Sequence, residues 1–369
     1  MPRTIDKRHK ILADLRHQMR LLAPGERLPT RAEFEQRYQA SPVTIQRVCD
    51  RLIRDGYIES HGRNGSFVAE YPPHAHRYWL VFPHDPMADR SSVRRCLIAE
   101  AERLSSVGPD TIDVYCGQPF ELVGGKAEQL LYDVRTGRTA GLIYAQSVGA
   151  WRCTPLEQNS AVPRVSVGHG NPGEDGMPSL AFDRQSLVRR AVDYLKSVGC
   201  QRVALLAIGA MPRHSLDDVN RTIADHGMVS LPYWLQYADP YWPHTARNAM
   251  HLLSELTGER RPDSLLILDD NLVFEATQGL ADSGAREIEV VAHCNYPHIT
   301  PSVYPVCRIG YDLGALLRRC IGMLTDARAG RMAEPKAMLP ALLLDELQAR
   351  SESLRTVTLQ PIGVEPVCP

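Results

Sequence analysis

Apolar positions in the first 70 residues recur every three to four places; beyond residue 78 they gather into short runs. Ile11, Leu12, Leu15, Met19 and Leu22 line one face of a helix that Pro24-Gly25 ends. Thr30-Arg31-Ala32-Glu33 has capping-box spacing, with threonine at the cap and glutamate three residues later. Phe34 and Tyr38 then share a face of the helix that follows. Ser41-Pro42 opens another helix, because proline is tolerated at the first helical position. Its core stripe is Ile45, Val48, Cys49 and Leu52, which leaves Val43, Thr44, Arg47 and Arg51 away from the stripe. Tyr57-Ile58-Glu59 and Ser66-Phe67-Val68 read as two short strands. Gly62 and Gly65 allow the turn between them, with Arg63 and Asn64 at its tip.

The paired prolines of Tyr71-Pro72-Pro73-His74-Ala75-His76 mark a stiff spacer. After it the period changes. Apolar runs at 78–82, 112–115, 141–144, 164–167, 179–182, 203–206, 264–268 and 289–292 predict strands, with helical stretches between several of them. Strands alternating with helices predict parallel sheets covered on both faces. Roughly 290 residues exceed one comfortable core, so two α/β lobes are expected. The predicted domains are 1–70, a linker at 71–77, a two-lobed body at 78–345 and a tail at 346–369.

Charge separates the two parts. Residues 1–76 hold 13 Lys+Arg and 9 Asp+Glu, a balance of +4, on a chain whose formal net charge is −1. A mildly basic head on an acidic body fits specific binding of duplex DNA by a small module, not general coating of nucleic acid. No signal peptide and no run of 18 apolar residues is present, which predicts a soluble cytoplasmic protein without a membrane partner. Nine cysteines, without a C-x-x-C pair, predict reduced thiols.

Two helices and a glycine-tipped hairpin in this order make a shape that docks on DNA. The segments Leu28-Pro29-Thr30-Arg31-Ala32-Glu33-Phe34, Ser41-Pro42-Val43-Thr44-Ile45-Gln46-Arg47 and Gly62-Arg63-Asn64-Gly65-Ser66-Phe67-Val68 resemble the winged helix of GntR-family transcription regulators over roughly the first 70 residues. The predicted DNA-contacting set is Thr30, Arg31, Ser41, Val43, Thr44, Gln46, Arg47 and Arg51, with Arg63, Asn64 and Gly65 in the wing. Many family members carry arginine where this chain has Ala32, Pro42 and Gln46. Arg31 and Arg47 stand one position away, and a glutamine reads adenine through paired hydrogen bonds.

The body resembles the effector domain of the LacI family, which has the periplasmic-binding-protein fold. The matching segments are Ser179-Leu180-Ala181-Phe182-Asp183, Gly199-Cys200-Gln201-Arg202-Val203-Ala204-Leu205-Leu206, Pro262-Asp263-Ser264-Leu265-Leu266-Ile267-Leu268-Asp269-Asp270 and Ile288-Glu289-Val290-Val291-Ala292-His293-Cys294-Asn295. A GntR-type reader fused to a LacI-type sensor implies a homodimeric regulator, a repressor, that binds palindromic operator DNA under control of a small ligand, a sugar. Polar residues leaving the carboxyl ends of strands are the ligand candidates: Asp183, Asp270, His293 and Asn295. Asp183 and Asp269 also suit helix caps. The resemblance adds Arg213, the arginine nearest to one the family carries after the 203–206 strand, and it sets Asp270 at the family's ligand aspartate. The competing expectation is a constitutive DNA-binding protein whose body serves dimerisation or scaffolding without a small ligand.

Little else in the sequence carries chemistry. His293, Cys294, His298 and Cys307 match no zinc module in their spacing. No nucleophile elbow, H-E-x-x-H or Walker loop is present, and Gly124-Gly125-Lys126 reads as a helix start. With five lysines and no evident Schiff-base context, an aminotransferase-like body is disfavoured. No enzyme activity, cofactor or metal is expected.

Overall fold

The computed structural model describes residues 2–83, 91–119, 122–145, 148–151, 153–157, 161–168, 177–209, 211–285, 287–331 and 335–350. The chain divides into two compact units, residues 1–85, 98–181 and 317–337 in the first, and 86–97, 182–316 and 338–369 in the second.

The first unit begins with a winged helix. α1 (Pro2–Met19) starts nine residues before the apolar stripe that announces it, and stops three residues short of Leu22. α2 (Arg31–Tyr38) carries both hydrogen bonds of the Thr30/Glu33 capping box. α3 (Pro42–Arg54) is capped by Ser41, whose side chain accepts from the Thr44 amide. Ile11, Leu15, Met19, Phe34, Ile45, Val48 and Leu52 close one core, as their spacing requires. β1 (Ile58–Ser60) and β2 (Ser66–Val68) pair antiparallel, with Glu59 opposite Phe67. A single 3-10 turn, Gly62–Asn64, forms the tip, and Gly65 leaves it at φ 103°, a left-handed conformation suited to glycine.

The expected spacer at 71–77 is in part a folded turn. α4 (Pro73–His76) follows the wing directly, both prolines are buried, and the His74 ring stacks on Tyr57 with centroids 5.7 Å apart. Two prolines preset an extended entry but do not keep apolar rings in water.

The body alternates strand and helix: β3 (Arg77–Phe82), α5 (Ser92–Val107), β4 (Thr111–Cys116), α6 (Gly125–Thr136), β5 (Gly141–Ala145), β6 (Arg164–Val167), β7 (Ser179–Asp183), α7 (Arg184–Ser197), β8 (Val203–Ile208), α8 (Arg213–Asp225), β9 (Leu235–Ala238), α9 (His244–Ser254), β10 (Ser264–Ile267), α10 (Val273–Asp282), β11 (Glu289–Tyr296), β12 (Cys307–Asp312), α11 (Leu313–Arg328), β13 (Lys336–Pro340) and β14 (Leu342–Leu343). Among the described residues these strands form two six-stranded sheets, in the orders β13-β7-β6-β5-β3-β4 and β14-β12-β11-β10-β8-β9. β3 to β7 pair parallel, as do β8 to β12, and β14 joins antiparallel to its neighbour β12. The eight expected strands are all present. Four others lie outside the expected set, although β13 holds Ala337-Met338-Leu339 and β14 lies in the run Ala341-Leu342-Leu343-Leu344. β9, β13 and β14 lie at or near sheet edges, and β12 has Arg308 within it, only 7% exposed. Gly279 lets α10 lie against α9, because a Cβ there would stand 2.6 Å from the Arg247 carbonyl oxygen. The fold continues past residue 345: residues 344–350 are helical, and Leu347 is buried against Cys294 and Leu342. The rest of the expected tail, 351–369, lies outside the described residues.

Burial against Tyr57, with the nearby Arg20 and Arg328 charges adding to it, pushes the His74 imidazole down to about 4. Folding therefore favours the neutral ring, whereas the unfolded ring takes a proton near pH 6.5. Stability from this site should be full above about pH 6.5 and fall as the pH drops towards about 4, by a total on the order of 3 kcal/mol. His74→Phe keeps the stack without the titration. Urea melts at pH 7 and pH 4.5 should show a smaller loss for the variant than for the wild type; equal losses would contradict this.

Candidate nucleic-acid interface and effector site

The α3 residues expected to meet DNA divide into two groups. Val43 is 59% exposed and Arg47 is exposed, on the outward side of the helix. Ser41 and Thr44 sit beside them at the helix start, with hydroxyls 3.0 Å apart. Gln46 is half-buried and donates to the Asp50 carboxylate at 2.6 Å, so its amide is engaged within the helix. Arg51 departs from the expectation. Its guanidinium lies 4.8 Å over the Tyr132 ring, donates to the Tyr132 hydroxyl at 3.1 Å and pairs with Asp55 at 3.1 Å. It faces the α6 side of the first unit rather than the open face of α3.

Thr30 and Arg31 stand exposed at the start of α2, where Thr30 serves as the cap. Arg63 and Asn64 are exposed on the wing tip, and Gly65 is half-buried beside the Arg27 guanidinium. Open arginines on α3 and on the wing suit major-groove edges and backbone phosphates respectively.

In the second unit the strand order places β8 between β9 and β10, so crossovers run in opposite directions from the gap between β8 and β10. Parallel sheets of this kind bind ligands at the carboxyl ends of the strands beside that gap. Asp270 stands there, after β10, and is only 2% exposed. Its carboxylate accepts from the Ser92 hydroxyl at 2.6 Å and from the Asn295 amide at 2.7 Å, and His293 Nδ1 lies 3.9 Å away. His293 and Asn295 lie within β11 rather than in a loop after it, because pairing with β12 runs on to Tyr296 opposite Asp312. Asp269 accepts from the Asn271 backbone and side-chain amides. Burial, with the Asp270 charge beside it, raises the Asp269 carboxyl above the usual carboxylate range.

Five side-chain polar atoms in this unit are buried without a hydrogen-bond partner among the described residues: Asn295 Oδ1, His293 Nε2 and Arg308 Nη1 near the Asp270 group, and the Nε atoms of Arg202 and Arg247. Buried polar atoms are ordinarily satisfied, so unsatisfied ones mark either strain or a place for another molecule. Burial lowers the Arg308 guanidinium from its ordinary range, while the Cys294 and Asp270 groups near it act in the opposite direction. The other two expected ligand residues stand apart. Asp183 caps α7, accepting from the Ser186 amide at 3.0 Å. Arg213 is exposed as the first residue of α8. Neither bonds to the Asp270 group among the described residues. Sequence reasoning passed over Ser92, Asn271 and Arg308. Asn271 follows the Asp-Asp pair directly, but nothing local connects Ser92 to a residue 178 positions away. His293, Cys294, His298 and Cys307 do not assemble into a metal-binding group among the described residues.

Residues 7–68 match the bacterial regulatory proteins of the gntR family. This is a gntR-type DNA-binding domain. The rest of the chain has the fold of LacI-family regulators. It is similar to a regulatory protein of the LacI family from Chloroflexus aggregans, with 16% identity, 72% of this chain and 96% of that chain covered, and a TM-score of 0.56. It is also similar to a LacI family transcriptional regulator from Lactobacillus casei with bound glucose, at 18% identity, 72% and 97% coverage and a TM-score of 0.52. A third likeness is the lac repressor dimer bound to operator and the anti-inducer ONPF, at 16% identity, 72% and 91% coverage and a TM-score of 0.52. Curated proteins give no match. The chain is thus a DNA-binding transcription regulator with a gntR-type reader and a periplasmic-binding-protein-like body. Among the described residues no helix is long and apolar enough to cross a membrane.

Arg47→Ala should weaken operator binding by about 1–3 kcal/mol if the side chain reads a base. Arg63→Ala should weaken binding to all sequences alike and lower the slope of log affinity against log salt by about one unit. Gel shifts on a selected operator and on a scrambled duplex, over a salt series, measure both. Unchanged operator binding for Arg47→Ala, or an unchanged slope for Arg63→Ala, would remove that residue from the interface.

Proposed function

We propose that this regulator is a homodimeric repressor whose affinity for a palindromic operator is set by a small neutral sugar. The sugar binds at the carboxyl ends of the β8, β10 and β11 strands. The observation that carries the reading is the Asp270 group: a buried carboxylate with Ser92, Asn295 and His293 around it, and buried polar atoms with unused hydrogen-bonding capacity on His293 and Asn295. A sugar hydroxyl both donates and accepts, so it can fill an open amide oxygen and an open imidazole nitrogen together. Regulators of similar fold were solved with glucose and with sucrose, and another as a dimer on operator. Two winged helices related by a two-fold axis match a palindrome, and a single one covers too little duplex for tight specific binding. The ligand acts only if it prefers one of two states that differ in DNA affinity. No chemical step is assigned to the chain.

A second reading keeps a ligand-free body that serves dimerisation alone. It draws on Asp270 itself, whose two oxygens already hold donors from within the protein.

Thermal unfolding against a panel of monosaccharides and disaccharides separates the two. A sugar at ~100 times its Kd should add about 2.7 kcal/mol of stability. His293→Ala should fold, since its Nε2 holds no partner, and should lose that stabilisation. Asp270→Ala leaves Ser92 and Asn295 without their acceptor and should itself cost about 1–3 kcal/mol. No stabilising sugar in the panel would favour the ligand-free body, and undiminished stabilisation of His293→Ala would move the site elsewhere.

A further inference from the structure

The gntR-type reader is seated on the body through the last turn of its recognition helix. Asp55 caps α3, and its side chain is 3% exposed. Arg16 from α1, Arg51 from α3 and Tyr132 from α6 all donate to this carboxylate, the tyrosine hydroxyl at 3.0 Å. Both guanidiniums also cover the Tyr132 ring, at 5.5 Å and 4.8 Å from its centroid. Arg138, just past α6, donates to the Asp55 backbone oxygen at 3.0 Å and to buried Asp133 at 3.3 Å. At the end of α6 the Tyr57 hydroxyl donates to the Gly137 oxygen at 2.9 Å, and Arg20 donates to the oxygens of Thr136 and Gly137, each at 3.2 Å. Those carbonyls carry the negative end of the helix dipole, which favours an arginine there. Gly137 has φ 63°, and a Cβ on it would collide with the Arg20 guanidinium.

A buried carboxylate with three donors does not loosen one bond at a time, because removing a partner leaves charge in a dry site. The contacts gather on the C-terminal turn of α3, while Val43 and Arg47 nearer its start, and Arg63 on the wing, remain open. Docking therefore fixes the reader without covering its DNA face.

We infer that Tyr132 and Arg138 are positioning residues for DNA recognition: they clamp α3 to α6, so that the body dictates where the DNA-reading face points. In a two-fold assembly, as proposed above, the clamp makes the protein selective for the separation of its half-sites. Arg51, expected from the sequence to contact DNA, belongs to the clamp.

The test combines two readouts on the full-length protein. Nuclear relaxation of reader amides needs no DNA. In the wild type they should tumble with the body. In the Tyr132→Ala/Arg138→Ala variant their correlation time should fall about twofold or more. Tyr132→Phe, which keeps the ring but loses the hydroxyl, should lie between. The second readout is affinity for palindromes whose half-sites are moved by two to six base pairs. Wild-type affinity should drop about tenfold or more off the best spacing, and the double variant less than about threefold. Independent tumbling of the wild-type reader, or a double variant that tumbles like the wild type, would overturn the clamp. A flat spacing profile for a wild type that tumbles rigidly would count against the proposed two-fold assembly and leave the clamp standing.

Discussion

A parallel strand can be followed by its neighbour only after a crossover, and that constraint shapes most of this chain. Helices must lie on the faces of both sheets, so the strands become apolar on both sides, as in β8 and β10, whose residues are buried almost throughout. Polar groups are driven to the strand ends. Side chains from remote parts of the sequence then gather there: Ser92 at the start of α5, Asp270 in the turn after β10 and Asn295 near the end of β11. The Asp270 group is the consequence of a sheet order that reverses direction between β8 and β10.

The same economy of polar groups governs the reader. A winged helix of this size has a small core, closed by residues such as Leu15, Ile45 and Leu52. Part of its surface, away from the DNA face, packs on α6 and on the turn that follows the wing. Asp55 would be costly inside the reader alone; with Arg16, Arg51 and the Tyr132 hydroxyl it becomes the point where reader and body meet. A regulator that transmits a ligand signal needs such a joint, because population shift at one site reaches another only through contacts that differ between states.

The reader was legible in the sequence because its signals are local. A capping box spans four residues, the α3 stripe spans two helical turns, and a glycine-tipped hairpin spans about ten residues. The central strands were legible for the same reason. What could not be read is what depends on distant partners. β12 is an inner strand despite Arg308, and β9, β13 and β14 lie at sheet edges, where a single neighbour holds each of them. The periodicity placed Arg51 on the outward side of α3, correctly as an angle, but the body stands on that side of its last turn. Of the ligand candidates, Asp270, His293 and Asn295 come together, whereas Asp183 is the cap that a strand-to-helix aspartate so often is. Ser92 carries no mark in the sequence at all.

The central claim is thermodynamic linkage between a sugar at the Asp270 group and operator DNA at the reader. Calorimetric titration of a stabilising sugar into free protein, and into protein saturated with operator duplex, tests it most directly. Linkage predicts two affinities that differ by about 5–150-fold, matched by the factor through which the sugar changes operator affinity. Equal sugar affinity with and without operator would contradict the account, since a ligand that does not sense the DNA cannot control it.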